Sequence, residues 1–182
     1  RFPKKFGTQS RQVKLEGEAF FKVKKDSSRP FTISTPQTIV RVLGTRFNLR
    51  AYAAESKTSV VVEEGSVRFF AKSRKDSLTL ISDQRGVYTS GAVMKMQEVN
   101  PVKYLGWKDN KLIFANERLI DIAKILERWY DVEITIQNPI LASERYTGQF
   151  DQADLKTVME SLSFAIKFNY SRKHKNYLIY AP

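Results

Sequence analysis

A glycine in the middle of an otherwise strand-like run constrains this chain more than any other feature. Residues 42–49 read Val-Leu-Gly-Thr-Arg-Phe-Asn-Leu. A glycine inside a strand pattern marks a bulge, a tight bend or a close approach of two backbones. The chain has to turn at Gly44 and resume at once, because Phe47 and Leu49 alternate again with polar neighbours. Short β-branched or aromatic runs surround it: Val13–Val23 and Pro30–Thr35 before, Val60–Val62 and Ser66–Phe70 after.

Those runs predict an all-β first domain over residues 1–98. Residues 1–10 read as a strand end and turn. Val13, Leu15, Ala19, Phe21 and Val23 alternate over Lys14, Glu16, Glu18, Phe20 and Lys22, which predicts one half-buried strand with Gly17 at a bulge. Lys24 to Arg29 is a polar turn closed by Pro30, and Phe31 and Ile33 begin the next strand. Further strands are expected over Ile39–Leu43, Phe47–Tyr52, Thr58–Val62, Ser66–Phe70, Leu78–Ile81, Val87-Tyr88 and Val93–Met96. The turns between them include Glu63-Glu64-Gly65, the charged stretch Lys72–Ser77 and Asp83–Gly86. Turn signals at this interval fit short stacked strands in a solenoid-like or sandwich-like arrangement. No helical period of any length occurs before residue 100.

Residues 99–110 read as a connection, with Trp107 as an anchor that packs it onto a domain. Beyond it the period changes from 2 to 3.6. Lys111–Phe114 is a strand, Asn116 a plausible helix cap, and Leu119, Ile122, Ala123 and Leu126 mark the apolar face of a helix ending near Tyr130. The strand Val132–Ile136 follows, closed by Asn138-Pro139. The unit then repeats: strand Tyr146–Phe150, a helix carrying Leu155, Val158, Met159 and Leu162 with Asp154 or Asp151 at its cap, then strands Ile166–Tyr170 and Leu178–Tyr180. Residues 111–182 are thus expected to form a small α+β domain of two strand–helix–strand units, with the helices on one sheet face.

Composition narrows the chemistry. The chain has 182 residues, 42% hydrophobic and 12% aromatic, enough for real cores, and no cysteine. Disulfides, thiol catalysis and cysteine metal sites are excluded. The single histidine, His174, sits in the basic turn Arg172–Lys175, so no metal site is expected. Glu16 and Glu18 read as an exposed strand face, and Trp129 and Tyr130 as helix residues packing on the sheet. No phosphate-binding glycine loop or Gly-x-Ser-x-Gly occurs. No cofactor and no enzymatic turnover are expected. Residues 1–110 carry 21 Lys and Arg against 10 Asp and Glu, whereas residues 111–182 carry 10 against 9. A basic half invites a polyanion, but Lys22, Lys24, Arg41 and Arg68 alternate with apolar residues, as on the solvent face of a sheet. A basic nucleic-acid-binding module and a carbohydrate-binding β-sandwich stand as alternative readings. The first would show steep salt dependence, and the second needs a carboxylate pair or an aromatic platform.

In order, Gly17–Phe21 (Gly-Glu-Ala-Phe-Phe), Pro30–Ile33 (Pro-Phe-Thr-Ile), Val42–Asn48 (Val-Leu-Gly-Thr-Arg-Phe-Asn) and Gly65–Val67 (Gly-Ser-Val) resemble the periplasmic domain of FecR-type anti-sigma factors. Leu112–Asn116, Tyr146–Phe150 and Tyr177–Tyr180 are similar to the secretin/TonB short N-terminal fold that commonly closes such proteins. The resemblance implies the periplasmic sensor of a single-pass inner-membrane protein acting in cell-surface signalling. Its first strands and its membrane helix would lie upstream of Arg1. Expected partners are the N-terminal signalling domain of a TonB-dependent outer-membrane transporter, regulatory membrane proteases, and an extracytoplasmic-function sigma factor held by a cytoplasmic segment outside this chain. Nucleic acid is not expected, and the membrane only through that upstream helix. Partner contact is expected at open strand edges, at Tyr146, Gly148 and Phe150 or at Leu178 and Tyr180.

Some FecR-type proteins are thought to split themselves at the Gly-Thr of this motif, which here is Gly44-Thr45. A threonine hydroxyl can attack the carbonyl carbon of the preceding residue, converting amide to ester for water to cut. The competing expectation is a plain bend with Thr45 hydrogen-bonded locally.

Overall fold

The computed structural model describes residues 6–7, 11–73 and 76–182. The expected strand end and turn at residues 1–10 falls largely outside the described residues, as do residues 74–75 of the charged turn. The described chain is mostly β, with four sheets and few helices. It divides into two compact units, Arg1–Leu105 and Gly106–Pro182, each with its own apolar core.

The first unit runs β1 (Arg11–Lys14), β2 (Gly17–Lys22), β3 (Phe31–Ser34), β4 (Thr38–Val42), β5 (Arg46–Ala51), β6 (Lys57–Glu64), β7 (Ser66–Ala71), β8 (Ser77–Ile81), β9 (Gln84–Thr89) and β10 (Lys95–Glu98), ending in the one-turn helix α1 (Val102–Leu105). Two five-stranded sheets result, ordered β1-β3-β4-β7-β8 and β10-β9-β6-β5-β2. Alternation decides which side chains meet between them. Ile33, Val40, Val67, Phe69 and Leu80 from the first sheet and Phe47, Leu49, Val60 and Val62 from the second are completely buried in one core. Phe21 stacks on Phe47 with ring centroids 5.3 Å apart. Burying each such side chain contributes roughly 1.5–3 kcal/mol, so the layered pair is set by the period-2 pattern itself.

The expected single strand over Val13–Val23 is two. The backbone at Gly17 takes φ 111°, open to glycine, and there the chain leaves one sheet for the other. The expected turn Asp83–Gly86 is shorter, since β9 already begins at Gln84.

The second unit begins with a 3-10 turn, Gly106–Asp109, which holds Trp107 and packs on β11 (Lys111–Arg118). It continues through α2 (Leu119–Tyr130), β12 (Glu133–Ile136), α3 (Pro139–Ser143), β13 (Arg145–Asp151), α4 (Leu155–Ile166), β14 (Asn169–Lys173) and β15 (Asn176–Tyr180). The strands form two small sheets instead of one: β11 with β13, and β12-β15-β14. Leu119, Ile122, Ala123 and Leu126 of α2 and Leu155, Val158, Met159 and Leu162 of α4 are buried, the helical faces read from the periodicity.

Asn116 does not cap α2. It adopts φ 56° at a register shift of β11, so the strand continues past it and pairs Glu117 with Tyr146. Asparagine tolerates this left-handed angle, so it suits a bulge here as readily as its side chain would suit an N-cap, whose backbone is extended. The first helical N–H, that of Leu119, donates to the carbonyl of Glu144. At α4 the cap is Asp154, whose carboxylate accepts from the Thr157 N–H at 2.7 Å. Ile166 closes that helix and does not begin the following strand. Asn138-Pro139 opens α3, with the Asn138 side chain accepting from the Ile140 N–H.

Candidate functional site

β4 lies in one sheet of the first unit and β5 in the other, so Leu43-Gly44-Thr45 carries the chain between layers. A Cβ at Gly44 would sit 2.4 Å from the Cα of Lys25, a distance no side chain survives. Its φ lies outside the left-handed range, so glycine is required here for close approach and not for an unusual angle. The stretch Lys24–Pro30 crosses over the bend like a strap. The Asp26 N–H donates to the Leu43 carbonyl at 2.7 Å, and the Val23 N–H to the Thr45 carbonyl at 3.0 Å. On the opposite side Gly65, at φ 90°, brings its backbone close to the Gly44 carbonyl and the Thr45 hydroxyl.

Arg11 ties down both ends of the strap. It is only 8% exposed, yet it occupies an inward position in line with Val13. Its guanidinium donates from Nε to the Arg29 carbonyl at 3.0 Å and from Nη1 to the Lys24 carbonyl at 2.9 Å, with a longer Nη2 contact to the Leu43 carbonyl. It also lies over the Phe31 ring. A buried charge needs compensating partners, and here backbone carbonyls at both ends of the strap supply them. Asp26 shapes the strap from within. Its carboxylate accepts from the Ser28 hydroxyl at 2.7 Å and from the Ser28 and Arg29 N–H groups, and it pairs with the Arg29 guanidinium. The Ser28 hydroxyl first, then Arg29, holds the Asp26 carboxyl down from 3.8 to about 2.

Thr45 is 4% exposed, and its hydroxyl donates to the Ser66 carbonyl at 2.8 Å. A carbonyl cannot take a proton from the hydroxyl, and among the described residues no histidine or carboxylate hydrogen-bonds it. As placed, the group ties the bend to the start of β7.

The strand residues of the second unit fare differently from expectation. β15 is the central strand of its sheet, parallel to β12 and antiparallel to β14, so Leu178 and Tyr180 offer no open edge. The turn at Lys173–Asn176 folds β14 outside β15. β13 does keep one side free of any strand among the described residues. Its aromatic side chains face inward, however. Tyr146 stacks with Phe150, both set edge-on to the buried Phe114, and the Tyr146 ring lies across Gly148, where a Cβ would meet it at 2.5 Å. A partner at β13 would therefore meet backbone and the exposed Thr147 and Gln149.

The residues that sequence reasoning passed over are Arg11 and Asp26. Arg11 had a signal: it continues the inward alternation Val13, Leu15 one step upstream, where a charge is out of place. Asp26 had only the generic look of a polar turn.

Comparison with known proteins adds the following. Residues 1–68 match the family model described as FecR protein, and residues 111–179 the model described as FecR, C-terminal. Two crystal structures, each of a candidate anti-sigma factor from Parabacteroides distasonis, are 25% identical in sequence with TM-scores of 0.91 and 0.89; the matches cover 100% of this chain and 85% and 84% of theirs. None of the curated proteins matches.

Gly44→Ala is expected to lower stability by about 1–3 kcal/mol or more, seen as a reduced urea midpoint, because the Lys25 backbone cannot retreat while Asp26 holds Leu43. An unchanged midpoint would mean that the strap yields freely. The depressed Asp26 carboxyl gives a pH signature: its contribution is complete above 3.8 and is lost as pH falls through about 2. In a carboxyl NMR titration Asp26 should half-titrate near the lower value, with amide protection at Ser28 and Arg29 falling over the same window. Titration at the ordinary value would remove it from the account of the strap.

Proposed function

The chain belongs to the FecR family, and from that premise we propose that it is the periplasmic sensor region of a membrane-anchored anti-sigma factor. In this reading it receives a signal from the N-terminal signalling domain of a TonB-dependent outer-membrane transporter. The cytoplasmic end of the regulator then holds or releases an extracytoplasmic-function sigma factor, with membrane proteases acting on the regulator between. The observation that carries the reading is the occurrence of both FecR matches, in order, along one chain whose whole length superposes on candidate anti-sigma factors.

The work of such a domain is protein binding, and the second unit offers the means. β12 and β14 are the outer strands of their sheet, and β13 has an unpaired side. An open edge accepts a strand from a partner through backbone hydrogen bonds, with little demand on side-chain identity. The first unit has a core of its own. Its crossing at Gly44-Thr45 is structural in this reading, and the chain is not an enzyme.

Two measurements test this. The purified chain should capture the transporter's signalling domain in solution. One of the single prolines Ile136→Pro, Gln149→Pro and Arg172→Pro, at positions whose N–H points away from the neighbouring strand, should then weaken capture by about tenfold or more, because a proline removes the edge N–H that a partner strand needs. Circular dichroism must show each variant folded; equal capture by all three would move the contact away from these edges. For the crossing, the intact mass of the purified chain should persist through long incubation. If two fragments joined at Gly44-Thr45 accumulate, and Thr45→Ala stops them while Thr45→Ser does not, the bend is a self-splitting site and the structural reading of it fails.

A further inference from the structure

The outward face of the sheet β1-β3-β4-β7-β8 is unusual in its charge. One row of directly paired residues crosses all five strands: Gln12, Thr32, Arg41, Arg68 and Thr79. Arg41 and Arg68, both exposed, stand opposite each other at its centre. Like charges directly opposite on a sheet destabilise it. None of the outward positions of these strands is Asp or Glu. Neither arginine has a carboxylate partner among the described residues. Both guanidiniums instead rest on one ring, that of Phe70, with their central carbons 5.7 and 5.4 Å from its centroid.

Resting on a common ring limits the rotamers of both side chains, and among the described residues neither guanidinium has a hydrogen-bond partner. Arginine presents those donors as a planar fork that matches a carboxylate through two parallel hydrogen bonds, and holding the fork in advance reduces the entropy lost on binding. Two such forks lie side by side, flanked along the row by the hydroxyls of Thr32 and Thr79. Ile81, 55% exposed and two residues beyond Thr79, adds one apolar contact.

We propose that this face is a docking site for an acidic peptide segment of a partner protein, with Arg41 and Arg68 as a preformed carboxylate clamp. The arrangement disfavours other anions. Single-stranded nucleic acid binds basic proteins by stacking bases on free aromatic faces, and the Phe70 ring is occupied by the guanidiniums. A duplex or a lipid surface calls for a wide spread of cations, whereas the outward positions of these strands carry Lys14 at one margin and otherwise only the central arginine pair between hydroxyl residues. The inference stands on the first unit alone and does not depend on the sensor reading or on the strand edges of the second unit.

The test uses the whole chain and a fluorescently labelled oligoglutamate peptide, with anisotropy as readout. The wild-type chain binds, and binding weakens as salt is raised. Arg41→Gln and Arg68→Gln each cost about tenfold or more in affinity, the loss expected for a charge-assisted pair. Arg68→Lys retains only part of the binding, because it keeps the charge without the fork. The control Lys124→Gln with Lys173→Gln removes two exposed charges from the second unit and leaves affinity unchanged. No binding by the wild type, or an equal loss in the control, overturns the proposal. So does arginine-dependent binding to duplex DNA, or to phosphatidylcholine vesicles containing phosphatidylglycerol, that exceeds binding to the peptide. A second readout needs no ligand: removing either arginine relieves like-charge repulsion, so the melting temperature of the glutamine variants stays level or rises. A clear fall would make the pair a structural element and contradict the clamp.

Discussion

The first unit depends on one crossing, where the strap Lys24–Pro30 lies directly against the backbone of Gly44. Two five-stranded sheets can slide or splay unless the links between them are fixed, and β4 passes to β5 through this single bend. Fixing it takes three agreements: absence of a side chain at Gly44, a buried cation at Arg11 whose donors reach the strap and Leu43, and an acceptor at Asp26 that curls the strap on itself. Each alone is costly. A buried guanidinium without partners loses several kcal/mol of hydration, and glycine gives up more backbone entropy on folding than any other residue. Together they satisfy one another.

This explains why the residues of the motif do not behave as separate features. Thr45 looks like a nucleophile because it follows a glycine at a tight bend, yet its hydroxyl is committed to the Ser66 carbonyl and its own carbonyl to the Val23 N–H. Gly65 belongs to the same node from the far side, being near both the Gly44 carbonyl and the Thr45 hydroxyl. The four sequence fragments that resemble the FecR pattern include the strand that leads into the strap, the strand that leaves it, the bend it covers and the glycine behind the bend.

Much of the architecture was legible because it rests on period. Alternation placed most strands of the first unit, and the spacing of Leu119, Ile122, Ala123 and Leu126 gave α2 with its buried face. What failed was the reading of residues whose preferences serve two purposes. Gly17 suits a bulge within a strand and equally a passage between sheets; Asn116 suits a helix cap and equally a left-handed bulge. Edge positions were not legible either, because strand order depends on long-range pairing that no local pattern records. β15 reads as terminal in the chain but sits central in the sheet. At the crossing, Gly44 announced itself by breaking a strand pattern, whereas the signal of Arg11, its place on the inward alternation, is easily passed over because a strand arginine is ordinarily read as solvent-facing.

The most direct test of the crossing is native-state hydrogen exchange at the Val23 and Asp26 amides. If the strap is part of the cooperative core, both exchange only through global unfolding, with the same free energy of opening as the amide of Val60 in the central strand β6. Arg11→Met should drop Val23 and Asp26 to a lower free energy while leaving Val60 at the global value. Free exchange at Val23 and Asp26 in the wild-type chain, with Val60 still protected, would show the strap to be a loop laid on a core that holds together without it.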